Sequence, residues 1–278
     1  MIRLLVDTAS DYTLKELEER NISLAPLTVM IGEKSYLDTL ELNRNDFYEM
    51  LVGGADFPKT SQPSPQMFAE IFEDAKAKGD DIICILISSA LSGTCQSAHL
   101  AKNIVDYDKI YIIDSLSAAH GIRIMVEYAR KLAGEGMAAA EIVERVENMK
   151  SRVKILAAVD TLEYLCKGGR LSKTAAAIGT LANLKPIITV NAEGKVEVAG
   201  KCIGRVKALN QIMKMLQEKQ VDTDFPLYTL YAYGTESCEK LEKKLESENY
   251  TITDRLQLGS TIGAHVGPGA CGIIFVEK

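Results

Sequence analysis

The stretch IICILISSALSGTCQSAHLAKNIV, Ile82–Val105, decides the fold. It opens on an unbroken apolar run, Ile82–Ile87, the mark of a strand buried on both faces. A hydroxyl-rich turn follows, SSALSGT at Ser88–Thr94. A helical pattern then runs from Gly93 to Val105. Strand, turn and helix in that order make half of a parallel crossover unit. The turn leaves backbone N–H groups free at the helix start, and these attract an anion together with the helix dipole. No Lys or Arg lies in the turn. A phosphate is usually met by charged partners as well, so hydroxyls and amides alone suit a singly charged group such as a carboxylate.

Outward from this unit, the first half alternates strand and helix. Strands are expected at Ile2–Val6, within Ile22–Ile31, and at Ile110–Ile113. Pro26 places the second of these at a sheet edge or delays its start. Helices are expected at Thr13–Arg20, Asn45–Val52, Pro65–Lys78, Ser117–Ala133 and Ala138–Lys150. Such alternation predicts a parallel sheet, whose ligands sit beyond the carboxyl ends of the strands. Three loops fall at that edge: Asp7–Asp11, Ser88–Thr94 and Asp114–Ser117. The second half reads as a mixed sheet with helices on one face. Its strands are Val153–Val159, Pro186–Val190, Lys195–Ala199, Leu227–Ala232, Thr251–Leu258 and Gly272–Glu277. Its helices are Ser172–Leu181, Arg205–Gln220 and Glu236–Glu248. The turn NAEG, Asn191–Gly194, joins a hairpin. Two domains are expected, 1–150 and 151–278, with the segment 57–80 a candidate to pack on the second.

The chain has 278 residues, 47% of them hydrophobic, enough to bury a sizeable core. A net charge of −6 without a concentrated basic stretch disfavours nucleic acid and anionic membrane surfaces as partners. The apolar run in MIRLLVDTASD is too short for a signal peptide. No apolar stretch reaches the roughly 18 residues of a membrane span, so stable membrane insertion is not expected. The six cysteines are scattered without a CxxC pair. They read as reduced, mostly structural thiols of a cytoplasmic protein, and no zinc spacing is present.

The second hydroxyl-rich loop is KTSQPSP, Lys59–Pro65. Ser64 and Pro65 fit an ordinary helix start. That leaves Thr60 and Ser61 without a structural duty. In the Ser88–Thr94 turn a cap uses one hydroxyl, and Ser88, Ser89, Ser92 and Thr94 exceed it. IGAHVGPGACG, Ile262–Gly272, contains GxGxxG but leads into a strand rather than a helix, so it is no dinucleotide motif. Its glycines shape a loop that carries His265, read either as structural or as a donor to a carboxylate. His99 and His120 lie on helical patterns and read as structural or exposed. CKGGRLSK, Cys166–Lys173, is either a solvated basic turn or a docking loop. A Ser92–His265 hydrolase pair lacks GxSxG and an acid in the expected order.

Taken together, VDTASD (Val6–Asp11), KTSQPSP, SSALSGTCQSA, IIDS (Ile112–Ser115), LCKGGRLSK and IGAHVGPGA resemble the DegV family of bacterial proteins. That family includes the fatty-acid-binding subunits (FakB) of fatty-acid kinase. The resemblance spans essentially the whole length. It implies an α/β fold, a Rossmann-like parallel-sheet domain plus a second α/β domain with a mixed sheet, similar to part of dihydroxyacetone kinase. It implies a long-chain fatty acid such as palmitate, stearate or oleate in a buried pocket. Thr60 and Ser92 would hold the carboxylate, with Ser61, Gly93, Thr94 and His265 close by. A separate kinase subunit (FakA) would phosphorylate the bound acid, so the chain itself would have no catalytic residue, metal or cofactor. Arg170 and Arg205 would serve docking. Family members that serve the kinase often carry an RxR-like entry to the helix after the hairpin. Here CIGRVKAL, Cys202–Leu209, has Ile203 at the first Arg. The competing reading is a small-molecule kinase or phosphotransferase.

Overall fold

The computed structural model describes residues 1–172 and 183–278, and elements are numbered over these. The first half runs β1 (Ile2–Asp7), a 3-10 turn (Thr8–Ser10), α1 (Leu14–Arg20), β2 (Ile22–Ala25), β3 (Thr28–Ile31), β4 (Lys34–Leu37) and α2 (Arg44–Val52). It continues with β5 (Lys59–Ser61), α3 (Pro65–Lys78), β6 (Asp81–Leu86), α4 (Thr94–Val105), β7 (Ile110–Asp114), α5 (His120–Gly134) and α6 (Ala139–Lys150). The second half runs β8 (Val153–Ala158), α7 (Glu163–Lys167), β9 (Leu184–Val190), β10 (Val196–Ile203), α8 (Arg205–Gln217) and β11 (Tyr228–Tyr231). It ends with α9 (Glu236–Ser247), β12 (Asp254–Gln257), α10 (Ser260–Val266) and β13 (Cys271–Val276).

Local signals explain the clearest elements. Thr13 and Glu16 form a capping box at the start of α1. Ser64 caps α3, Pro65 occupies its first turn, and Gly79 closes it in the left-handed region. Four strands make the parallel sheet in the order β2-β1-β6-β7. Alternate residues of β6 face opposite ways, as the period of two demands. Ile82, Cys84 and Leu86 pack with Phe68 and Phe72 of α3. Ile83 and Ile85 face α5 and α6.

The second sheet is mixed, in the order β10-β9-β8-β13-β11-β12. Only its β11–β12 pair is parallel. Helices α8 and α9 cover one face, burying Leu209, Ile212 and Leu241 against Leu156 and Phe275. The opposite face, with Ile155 and Ile274, looks onto α5. The largest apolar cluster therefore runs across residue 150, from Leu4 to Val276. Helix α5 lies between the two sheets and serves both.

A third sheet, antiparallel β4-β3-β5, departs from expectation. The apolar stretch Ile22–Ile31 is two strands in two sheets, because Pro26 lacks the N–H a continuous strand would need. β2 becomes an edge of the parallel sheet, and β3 the centre of the small one. The segment 57–80 divides: α3 packs on α4 of the first half, whereas β5 touches α10 of the second. The helix expected at Ser172–Leu181 lies outside the described residues, apart from Ser172. No helix among the described residues is long and apolar enough to cross a membrane.

Candidate functional site

Where the two sheets and α10 meet, they form a pocket, partly open to solvent, with about 770 Å³ of empty space counted out through its mouth. Its walls are aliphatic. Ile155 and Ala157 come from β8, Ile188, Val190 and Val196 from the β9–β10 hairpin, and Ile262 and Val266 from α10. Four side chains with polar ends gather on this lining: Thr60, Ser92, Arg170 and His265. Thr261 adds a fifth polar group, turned into a buried network described below.

Each of the four is placed by a different element. Thr60 is the middle residue of β5, opposite Val29 of β3. Strand alternation aims Thr60 at the cavity and leaves Ser61 exposed, so Ser61 does not line it. Ser92 closes the turn before α4, and its hydroxyl lies 2.9 Å from that of Thr94. One of the two donates to the other, which leaves one hydroxyl hydrogen free, and Gly93 at the N-cap receives no side-chain cap. The first-turn amides of α4 keep their donor character at this end of the site. A Cβ on Gly93 would stand 2.1 Å from Gln62 Oε1, so the exposed Gln62 side chain would have to move. Gln62 is held across the turn by a 2.9 Å bond to Ser97 Oγ. Neither Gly93 nor Thr94 lines the cavity directly.

His265 sits in the last turn of α10, where the sequence reading placed it in a loop. The chain turns only afterwards, at Gly267, whose φ is +76°. The imidazole Nε2 lies 2.8 Å from Thr60 Oγ1, which joins strand β5 to the C-terminal helix. Burial, with Arg170 nearby, pulls His265 down to about 4. The ring is therefore neutral at pH 7 and can donate or accept according to its tautomer.

The loop read as a solvated turn or docking element supplies the site's cation. Arg170 turns inward and lines the cavity. Its Nε donates to Leu91 O at 2.9 Å and its Nη1 to Gly168 O at 2.5 Å. It pairs with no carboxylate among the described residues. The two glycines of CKGGR make this possible. A Cβ on Gly168 would lie 2.2 Å from His265 Nδ1, and Gly169 adopts φ +75°. The site is thus not made of hydroxyls and amides alone, as the hydroxyl-rich turn by itself implied. Arg205, the other residue assigned to docking, ties the fold internally. It donates to Ala158 O at 3.3 Å and Gly269 O at 2.7 Å and pairs with Asp160 at 2.5 Å.

Beneath the wall lies a buried polar chain. Leu27 N–H donates to Thr8 Oγ1 at 3.1 Å, and Thr8 Oγ1 is 3.1 Å from Thr261 Oγ1. Thr261 donates to Asp38 Oδ2 from both its hydroxyl, at 2.5 Å, and its backbone N–H, at 3.0 Å. Since the Thr261 hydroxyl gives its one hydrogen to Asp38, Thr8 is the donor to Thr261, and both hydroxyls point towards Asp38. Nearby, Asp11 accepts from Gly259 N–H at 2.8 Å and lies 3.7 Å from His120. His120 is wholly buried, whereas His99 is exposed. All six cysteines are free. Among the described residues no group of three His, Cys, Asp or Glu is gathered to hold a metal.

The α/β fold thus carries an aliphatic pocket with one small polar cluster at one place on its lining, a surface that suits an amphipathic ligand. The sequence matches the family described as "Uncharacterised protein, DegV family" over residues 1–278, and the chain belongs to that family. A DegV domain-containing protein of Caldanaerobacter subterraneus is 36% identical, the alignment covering 100% of this chain and 99% of the relative. A solved DegV family protein from Thermus thermophilus, described by its fatty acid binding, superposes with a TM-score of 0.89 at 31% identity. That likeness covers 100% of this chain and 99% of the other. A stearic acid-binding protein from Eubacterium ventriosum superposes with a TM-score of 0.89 at 26% identity, covering 100% and 99%.

Proposed function

We propose that the chain binds a long-chain fatty acid, such as palmitate, stearate or oleate, with its hydrocarbon in the cavity. The carboxylate is held by Thr60, Ser92, His265 and Arg170, and is presented to a separate fatty-acid kinase that forms the acyl phosphate. The observation that carries this reading is the lining itself, aliphatic throughout apart from one polar cluster. Roughly 0.8 kcal/mol per buried methylene gives about 11 kcal/mol, gross, for about fourteen of them. The tail therefore dominates affinity, and the polar cluster sets direction. The four residues come from separate segments and are only partly buried, so the carboxylate end stays within reach of a second protein.

A phosphotransferase acting alone would need a phosphate cradle with metal-binding carboxylates. The cavity lining offers neither Asp nor Glu. The test is native mass spectrometry of protein purified from a bacterial host, before and after adding palmitate or oleate. The expected result is a one-to-one complex with a fatty acid. Protein that stays empty after the addition overturns the reading.

A further inference from the structure

The β9–β10 hairpin belongs to the mixed sheet for only part of its length. β9 pairs with β10 along its whole run, but with β8 only through Ala157↔Ile188 and Ala158↔Ile187. Past Ile188 the hairpin leaves the sheet, while β8 continues, paired to β13 on its other edge. The cavity occupies the opening so created. Ile155 and Ala157 line it from β8, and Ile188, Val190 and Val196 line it from the hairpin.

Two features sit at the ends of this free arm. At its root the β10 register shifts between Val198, opposite Ile188, and Gly200, opposite Ile187. The irregularity lies level with the point where β9 parts from β8. A bulge at that position bends a strand and weakens its local pairing. At the tip, the turn Asn191–Gly194 is held by its own bonds, Asn191 Oδ1 accepting from Glu193 and Lys195 N–H at 3.0 Å. Ser88 Oγ then donates to Gly194 O across a buried 2.9 Å bond. The fit is close, since a Cβ on Gly194 would stand 2.1 Å from Ser88 Oγ. Ser88 belongs to the first half of the molecule, so this bond fastens the hairpin to the opposite wall.

We propose that the outer arm of the β9–β10 hairpin, residues 188–198, is a flap over the cavity, hinged at the Val198–Gly200 bulge and latched by Ser88 on Gly194 O. Opening the latch swings Ile188, Val190 and Val196 away from Ile155 and Ala157. A hydrocarbon chain can then pass sideways between hairpin and sheet, without threading past the polar cluster. The proposal rests on the fatty-acid reading for its ligand.

The experiment follows cis-parinaric acid, a fluorescent long-chain fatty acid, into delipidated protein by stopped flow, with equilibrium titration alongside. Ser88→Ala removes the latch, and neither Ser88 nor Gly200 lines the cavity. The expected result is a rise in both association and dissociation rates, roughly two- to tenfold, as the loss of the buried bond to Gly194 implies. The 3.2 Å bond from Ala90 N–H to Ser88 Oγ, lost with it, lies within the Ser88–Thr94 turn and does not touch the hairpin. Gly200→Ala stiffens the hinge at a position where the nearest atom to a new Cβ is an ordinary 3.5 Å away. Both rates should then fall, by roughly two- to fivefold. Kd should hardly change in either variant, because a gate alters passage in both directions. Unaltered rates in both variants overturn the flap. So does a Ser88→Ala effect confined to dissociation, which would make the hairpin a fixed wall. Failure of the parent protein to bind the probe at equilibrium would instead overturn the ligand reading.

Discussion

The polar groups on the cavity lining and those beneath its wall differ in how far they are satisfied. Thr60, His265, Ser92 and Arg170 share few bonds among themselves and stay partly open to solvent. Thr8, Thr261 and Asp38 are buried and linked in a directed chain of donors. An open cluster has spare donors for a ligand. A closed one has spent them on the fold, and an unpaired member there costs stability rather than affinity. Thr261 touches both regions, since it lines the cavity and donates to Asp38. Burial pushes the Asp38 carboxyl up, and the Thr261 donors pull it back.

The largest expected effect breaks the closed side. Asp38→Ala removes the acceptor of two Thr261 bonds and strands a buried amide and hydroxyl. Each such orphan costs about 1–3 kcal/mol, so stability should drop by about 2–5 kcal/mol in urea unfolding. A loss below about 0.5 kcal/mol, the scale of an ordinary surface substitution, would show that the chain from Leu27 to Asp38 does not brace the wall.

The second effect separates the clusters by pH. His265 is held neutral in the fold, at about 4, against about 6.5 in an unfolded chain. Its folded value is depressed. Its contribution is therefore fully present above about pH 6.5 and is lost as pH falls through about 4. The shift corresponds to roughly 3 kcal/mol at most, less what solvent at the partly open site screens. His265→Gln should flatten the stability profile of the ligand-free protein between pH 6.5 and 4. Identical profiles for parent and variant would mean that the imidazole is hydrated and the site more open than its geometry indicates.

The same contrast governs what could be read from the amino-acid order. Ile82–Val105 was legible because an apolar run buried on both faces and a helix after it need no distant partner to be recognised. The hydroxyls of Thr60 and Ser92 were legible because capping left them without employment. β4 and β5 were missed, since three or four residues carry too little period, and they exist only by pairing with β3. α10 hides behind Gly263, which belongs there because Phe47 and Tyr48 leave no room for a Cβ. Arg170 was read as outward-facing because nothing local reveals its acceptor at Leu91, 79 residues earlier. The Gly168–Gly169 pair was the available sign, a turn that needs both close approach and a left-handed residue.

The smallest effect sharpens the boundary of the open cluster itself. Thr60 and Ser61 are neighbours with nearly the same side chain, and the family resemblance groups them at one site. On β5 they face opposite ways: Thr60 meets His265, and Ser61 is exposed opposite Thr28. Ser61→Ala should leave stability within about 0.5 kcal/mol of the parent and fatty-acid affinity unchanged. Thr60→Ala in the same titration should weaken binding roughly tenfold, the scale of one hydrogen bond to a charged group. If Ser61→Ala weakened binding as much as Thr60→Ala, β5 would have to be twisted or shifted by one residue in the loaded protein. Strand alternation allows only one of the two hydroxyls to serve the cavity at a time.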